Sequence, residues 1–194
     1  LTSMPEVSTH ELDLPRLGIY QAWSSTQNAG WVRYSLDEAG VPYTLFSKDR
    51  ARLGNLQQDF DVILVPHMSS GTNLASIIGG IDPKWSPLPY TNSNETPNLG
   101  HILSSDDITG GMGFEGMAAI EEFIREGGTL VTLGSAGVIA SDSGILRGIN
   151  KRGPSGMNTP GSVITAKIND HHSPLVYGYS AVSYTHLTLP TTRC

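Results

Sequence analysis

The chain has 194 residues, 38% of them hydrophobic and 15% charged, and a formal charge of −6 with a pI near 5.4. That is enough for one domain with a real core. It argues against non-specific nucleic-acid binding, which needs a basic face to meet phosphates, and no cluster of Lys or Arg is longer than Lys151-Arg152.

With 22 Gly and 12 Pro, the composition is that of a globular chain with long loops. The sole cysteine, Cys194, is the last residue, which excludes an internal disulfide and a thiolate metal cluster. No apolar run approaches the roughly 20 residues of a membrane-spanning helix. The first residue is Leu1 rather than Met, so targeting is not read from this end.

Residues 1–14 are polar and aperiodic and read as a linker or the end of an upstream domain. Leu17-Gly18-Ile19-Tyr20 is a short apolar strand followed by a polar loop. Trp31, Tyr34, Leu36 and Ala39 then recur at helical spacing, which assigns Trp31 to the core, and Gly40 ends the helix. Val41 to Phe46 is a second strand, so the order is β-α-β with a right-handed crossover. Asp61 to Pro66 is the strongest strand signal, a β-branched run expected of a parallel strand buried on both faces.

Residues 67–112 form a long Ser-, Asn-, Gly- and Pro-rich stretch in which Leu74–Ile81 has room for a helical turn or two. Met117, Ile120, Phe123 and Ile124 mark a helix ending at Gly127-Gly128. Thr129–Leu133 is the next strand, Gly134–Gly137 a turn, and Val138–Ile149 a further short helix. Ser162 to Ile168 alternates and reads as a late strand, a candidate sheet edge. The expected fold is α/β: an open, mostly parallel, doubly wound sheet over residues 15–181, with helices on both faces.

The search for chemistry is mostly negative. None of His10, His67, His101, His171, His172 and His186 stands in an HxxE or HExxH spacing. Asp170-His171-His172 reads as a polar turn before Ser173-Pro174, because adjacent residues on an extended segment point apart. The turn after the fourth strand, Gly134-Ser135-Ala136-Gly137, is where such sheets place a nucleophile. It holds Ser135, a candidate nucleophile with His171 or His172 as base, against a simpler role as N-cap of the next helix. There is no G-x-S-x-G and no phosphate-binding GxxxxGK[ST]. Gly110-Gly111-Met112-Gly113 opens a helix whose first turn carries Glu115, which disfavours an anion there. Tyr20, Trp23 and Trp31 lie around the carboxyl end of the first strand, the usual ligand edge. Trp23 in its loop and His67 after the third strand are the candidates for ligand contact.

Three stretches together carry a family resemblance. They are Leu17-Gly18-Ile19-Tyr20-Gln21-Ala22-Trp23 with Gly30-Trp31-Val32-Arg33-Tyr34, then Phe60-Asp61-Val62-Ile63-Leu64-Val65-Pro66, and then Gly113-Phe114-Glu115-Gly116 leading to Ile120–Val131. Pro160-Gly161-Ser162 and Ser173 to Gly178 fit the same pattern. The chain thus resembles the C-terminal class I glutamine amidotransferase-like domain, flavodoxin-like in fold, of bacterial zinc carboxypeptidase-family (carboxypeptidase A-like) proteins.

The resemblance implies a secreted or periplasmic parent, a metallocarboxypeptidase whose zinc sits in an upstream peptidase domain with an HxxE…H site. Nothing here matches those ligands. The implied role is a non-catalytic accessory domain, with no cofactor in this part of the chain and the upstream domain as its partner. An amidotransferase of this fold would carry Cys where Ser135 stands. The alternatives are a small-molecule hydrolase using Ser135, and a sugar- or peptide-binding module using the long loop. Residues 182–194 resemble a translated sequencing adapter, so the expectation is a non-native tail and a domain cut short, with an uncovered strand edge and apolar face.

Overall fold

The computed structural model describes residues 13–69 and 71–148, the strands at 162–167 and 182–187, and residues 168, 170, 172 and 176. Strands β1 (Leu17–Tyr20), β2 (Thr44–Phe46), β3 (Val62–Val65) and β4 (Thr129–Thr132) form one four-stranded sheet in the order β2-β1-β3-β4. Every pairing in it is parallel, with Ile19 opposite both Leu45 and Leu64, and Leu64 opposite Val131. This is the expected α/β, flavodoxin-like sheet.

The helices are α1 (Gln27–Glu38), α2 (Lys48–Arg52), α3 (Leu74–Gly79), α4 (Gly113–Arg125) and α5 (Val138–Ser141). The step from β1 to β2 runs one way along the sheet, and the steps to β3 and β4 run the other. Right-handed crossovers therefore place α1 on one face and α2, α3 and α4 on the opposite one.

The α2–α4 face holds the main core. Tyr20, Phe46, Ile63 and Val65 from the strands meet Ile77, Met117, Ile120 and Phe123 from the helices, all buried. Phe46 stacks on Phe60 at 4.7 Å between centroids and meets Tyr20 edge-on at 5.6 Å. Gly18 makes this possible, since a Cβ there would sit 2.7 Å from the Phe60 ring. In α4 the expected stripe is observed: Met117, Ile120 and Phe123 are buried, and Gly127 ends the helix region at φ 100°.

The α1 face is thinner. Of its register row Leu45, Ile19, Leu64 and Val131, only Ile19 is fully buried, and the other three are half-buried. Helix α1 docks through Ala29, Val32, Arg33 and Leu36, an i, i+3, i+4, i+7 stripe led by the small, buried Ala29. This corrects the placing of Trp31 in the core. Two residues on from Ala29, it projects from the opposite side of the helix, is 63% exposed, and packs edge-on against exposed Tyr34 at 6.0 Å. Both aromatic and small-residue phases are helical in period, and close approach of the small residue selects between them.

The long connection after β3 is built rather than slack. Asn73 and Ser76 form a reciprocal capping box that starts α3. Further on, Tyr90 and Ser105 exchange backbone hydrogen bonds at 2.9 and 3.3 Å, and the Ile108 N–H donates to Leu88. The result is an arm folded back over the sheet's carboxyl edge. Its root is Asp107, whose carboxylate accepts from Ser86 Oγ, Leu88 N–H and Thr109 N–H.

Strand β5 (Ser162–Lys167) matches the expected residues, but it does not extend the parallel sheet. It pairs antiparallel with β6 (Val182–Leu187), from Ser162 opposite Leu187 to Lys167 opposite Val182. Parallel addition would need a crossover back across the sheet, whereas a following strand of β-branched and aromatic residues can pair directly. The first part of the segment read as a tail thus supplies β6. Among the described residues, no helix is long and apolar enough to cross a membrane.

Truncating Phe123 to Ala should cost about 3–5 kcal/mol of unfolding free energy through the cavity it leaves. Trp31→Ala should change stability by no more than about 0.5 kcal/mol. Denaturant unfolding monitored by circular dichroism distinguishes the two, and a large loss for Trp31→Ala would contradict the docking phase of α1.

Candidate functional site

The carboxyl ends of the parallel strands converge on one edge, and β1 and β3 there lead into connections on opposite faces, the usual position of a ligand crevice. Two arrangements of side chains occupy it.

The first lies beyond β3 and β4. Val65 and Thr132 are in register, so His67 and Ser135, two and three residues further on, come together. The Ser135 N–H donates to His67 Nδ1 at 3.1 Å, and the Met68 N–H donates to Ser135 Oγ at 3.1 Å. Gly134 sits at φ 54°, where an added Cβ would lie 2.4 Å from the imidazole, so this turn admits the ring only because residue 134 is glycine.

The expected N-cap role of Ser135 is corrected. The 3-10 turn Gly134–Gly137 begins after Leu133 and α5 begins after Gly137, neither with a side-chain cap, and the hydroxyl instead ties down the loop after β3. The histidine beside Ser135 is His67. His171 lies outside the described residues. His172 is exposed and its N–H donates to Asp170 Oδ1 at 2.9 Å, the Asx turn expected of a polar corner.

The second arrangement is a cleft of about 280 Å³ at the carboxyl ends of β1 and β2, between α1 and the arm. Its walls include Gln21, Trp23, Arg33, Tyr90 and His101. Gln21 continues β1, its N–H donating to Phe46 at 2.8 Å, and is 8% exposed. Trp23 leans on Tyr90 with ring centroids 5.1 Å apart, joining the loop after β1 to the arm.

Three of these residues carry a buried polar atom without a hydrogen-bond partner: Gln21 Oε1, Trp23 Nε1 and Arg33 Nε. Each such atom costs about 1–3 kcal/mol relative to a satisfied one. Satisfied buried groups are the rule in folded proteins, so three orphans buried just behind the lining of one cleft mark it. Trp23, a candidate from the sequence, is placed here.

Gln21, Arg33, Tyr90 and His101 were not found as site residues by sequence reasoning. Arg33 even has a decoy: Asp37 stands four residues on, the spacing of a helical ion pair. In the fold Asp37 accepts from Tyr43 Oη at 2.9 Å instead, and Arg33 makes no ion pair or hydrogen bond among the described residues.

Beneath the arm, buried Lys48 pairs with Asp49 at 2.9 Å, and Asp49 accepts from Ser105 Oγ at 2.7 Å. Partial burial opposes the charge on Asp49, but the bonds from Lys48 and Ser105 outweigh it and hold the carboxyl below its ordinary range. This anchors the arm to the start of α2. Among the described residues no group of three or more His, Cys, Asp or Glu side chains is placed to hold a metal ion.

Two outcomes follow from these contacts. Ser135→Ala should cost about 1 kcal/mol, by orphaning the Met68 N–H, measured by denaturant unfolding. The second concerns Asp107, whose carboxyl is held well below its usual range, first by Ser86 Oγ and then by the N–H groups of Thr109 and Leu88. A carboxyl depressed in the fold contributes its stability above its unfolded pKa of about 4, and loses it as pH falls below that. Amide exchange at Leu88 and Thr109, corrected for intrinsic rates, should therefore quicken relative to Val65 as pH drops from about 5 to about 2.5. Equal protection across that range would show that Asp107 does not hold the arm.

No protein-family model, curated protein or solved structure matches the chain.

Proposed function

We propose that this chain is a non-catalytic accessory domain of a zinc metallocarboxypeptidase-type protein, packing beside an upstream peptidase domain that holds the zinc and acts on peptide C-termini. The observation that carries the non-catalytic part is the reciprocal crosslink at the strand-to-turn elbow. Ser135 Oγ accepts from the Met68 backbone, and His67 Nδ1 accepts from the Ser135 backbone. A serine nucleophile needs its hydroxyl proton directed at a base. Here the ring nitrogen facing Ser135 is occupied by a backbone N–H, and the pair serves to join two loops. The link to a peptidase parent is supported by the three resembling stretches of sequence.

A second reading, a module that binds a small sugar- or peptide-derived ligand, is favoured by the cleft of Gln21, Trp23 and Arg33 with its unpartnered polar atoms. The two readings are compatible, since an accessory domain can present a bound group to its neighbour.

The test of the first is direct. The 194-residue chain and its Ser135→Ala variant are assayed on p-nitrophenyl acetate and on an N-acylated dipeptide, and their zinc content is measured by mass spectrometry. Indistinguishable background turnover and sub-stoichiometric zinc are expected. Turnover that disappears in Ser135→Ala would overturn the non-catalytic reading, as would one tightly held zinc per chain.

A further inference from the structure

We propose that the cleft at the carboxyl ends of β1 and β2 binds a small carboxylate, with the anionic group on Arg33 and the body of the ligand against the Trp23–Tyr90 pair. This deepens the binding reading above.

Charge is the first argument. The chain has 18 acidic and 12 basic residues, yet no Asp or Glu lines this cleft, whereas Arg33 and His101 do. Arg33 projects from α1 into a space walled by Gln21, Leu45 and the arm, and its guanidinium finds no acceptor among the described residues. Its buried Nε–H is left without an acceptor, which costs about 1–3 kcal/mol unless something else supplies one. The planar guanidinium fork matches a carboxylate in two parallel hydrogen bonds. A phosphate dianion would call for more positive charge than one arginine beside a histidine whose Nε2 already faces the Pro97 carbonyl at 2.8 Å.

The other two orphans narrow the ligand further. An indole N–H only donates, so Trp23 Nε1 requires an acceptor on the ligand. A side-chain amide oxygen only accepts, so Gln21 Oε1 requires a ligand hydroxyl or N–H. Gln21 Nε2 donates one N–H to the Ala22 carbonyl at 3.1 Å, which leaves the oxygen at the other end of the amide without a partner. These atoms are shielded from water, so pairing them takes a side-chain rotation of the kind that commonly accompanies binding.

The tilted aromatic pair supplies a flat apolar wall for a ring. A volume of about 280 Å³ suits one sugar or one amino-acid unit. A carboxylate, at least one hydroxyl or N–H, and a ring or apolar body together describe a sugar acid or an N-acylated amino acid. The two sources share the chemistry that the cleft reads.

Thermal unfolding of the full chain is followed with D-glucuronate and N-acetyl-L-phenylalanine, and with their neutral counterparts D-glucose and N-acetyl-L-phenylalaninamide. At least one acid should raise the Tm in a concentration-dependent way while its neutral counterpart does not, and which acid does so identifies the source. Arg33→Gln should weaken that binding by roughly tenfold or more. Trp23→Phe keeps the ring and removes the N–H, and should weaken binding several-fold; it decides the matter if Arg33→Gln does not fold.

The proposal is overturned if neither acid shifts the Tm, if the neutral compounds act equally, or if the variants bind as the parent chain does. Failure of this kind without any turnover removes the cleft ligand alone, whereas Ser135-dependent turnover removes the non-catalytic reading alone.

Discussion

Phe60 lies against the bare backbone of Gly18 and stacks on Phe46, and the register of the parallel sheet depends on that contact. Phe60 immediately precedes the Asp61 turn into β3, so fixing its ring over β1 and beside the end of β2 fixes where β3 starts. Ile63 then falls opposite Gly18, and Leu130 of β4 opposite Ile63. The cluster continues into α4 through Ile120 and Phe123, and Phe123 in turn requires Gly128, where a Cβ would lie 2.4 Å from its ring. Bulky aromatic groups set against glycine backbones are how a short-stranded sheet gains a close-packed interior.

That interior is one-sided. The α2–α4 face is sealed, while the α1 face leaves Leu45, Leu64 and Val131 half-buried and sends Trp31 and Tyr34 outward. The hydrophobic stabilisation is roughly proportional to apolar area removed from water, so most of it comes from the sealed face. The thinner face is also where the β1–β2 cleft opens, because Gln21, Leu45 and Arg33 all belong to that side.

The carboxyl edge shows two treatments of polar groups in the same setting. Beyond β3 and β4, the Ser135 hydroxyl and the His67 imidazole are each engaged by a backbone N–H, which rigidifies two loops at little cost. At β1 and β2, Gln21, Trp23 and Arg33 are left unmatched within the fold. Polar groups satisfied internally stabilise the chain, whereas unmatched ones weaken it. Asp107 and the Asp49–Ser105 bond tie down the arm carrying Tyr90 and His101, beside the Trp23–Tyr90 contact.

The strands, the helix of residues 113–125 and the class of sheet could be read from the sequence alone, because β-branched runs and a 3.6-residue stripe are local patterns that burial reinforces. So could the presence of a candidate at Trp23, from its place just beyond the first strand. The tertiary structure alone decided the phase of α1, since Ala29 and Trp31 offer competing helical faces and only contact with the sheet favours the smaller. It decided that residues 162–167 pair with residues 182–187 rather than join the parallel sheet. It also decided the histidine beside Ser135, because His67 and Ser135 are 68 residues apart and meet through the β3–β4 register. Arg33 was hidden for the same reason: Asp37 stands at ion-pair spacing on its own helix, and the fold gives that carboxylate to Tyr43. Local spacing specifies what a side chain can reach along its own element, whereas which groups are left without partners is settled only when distant elements have packed.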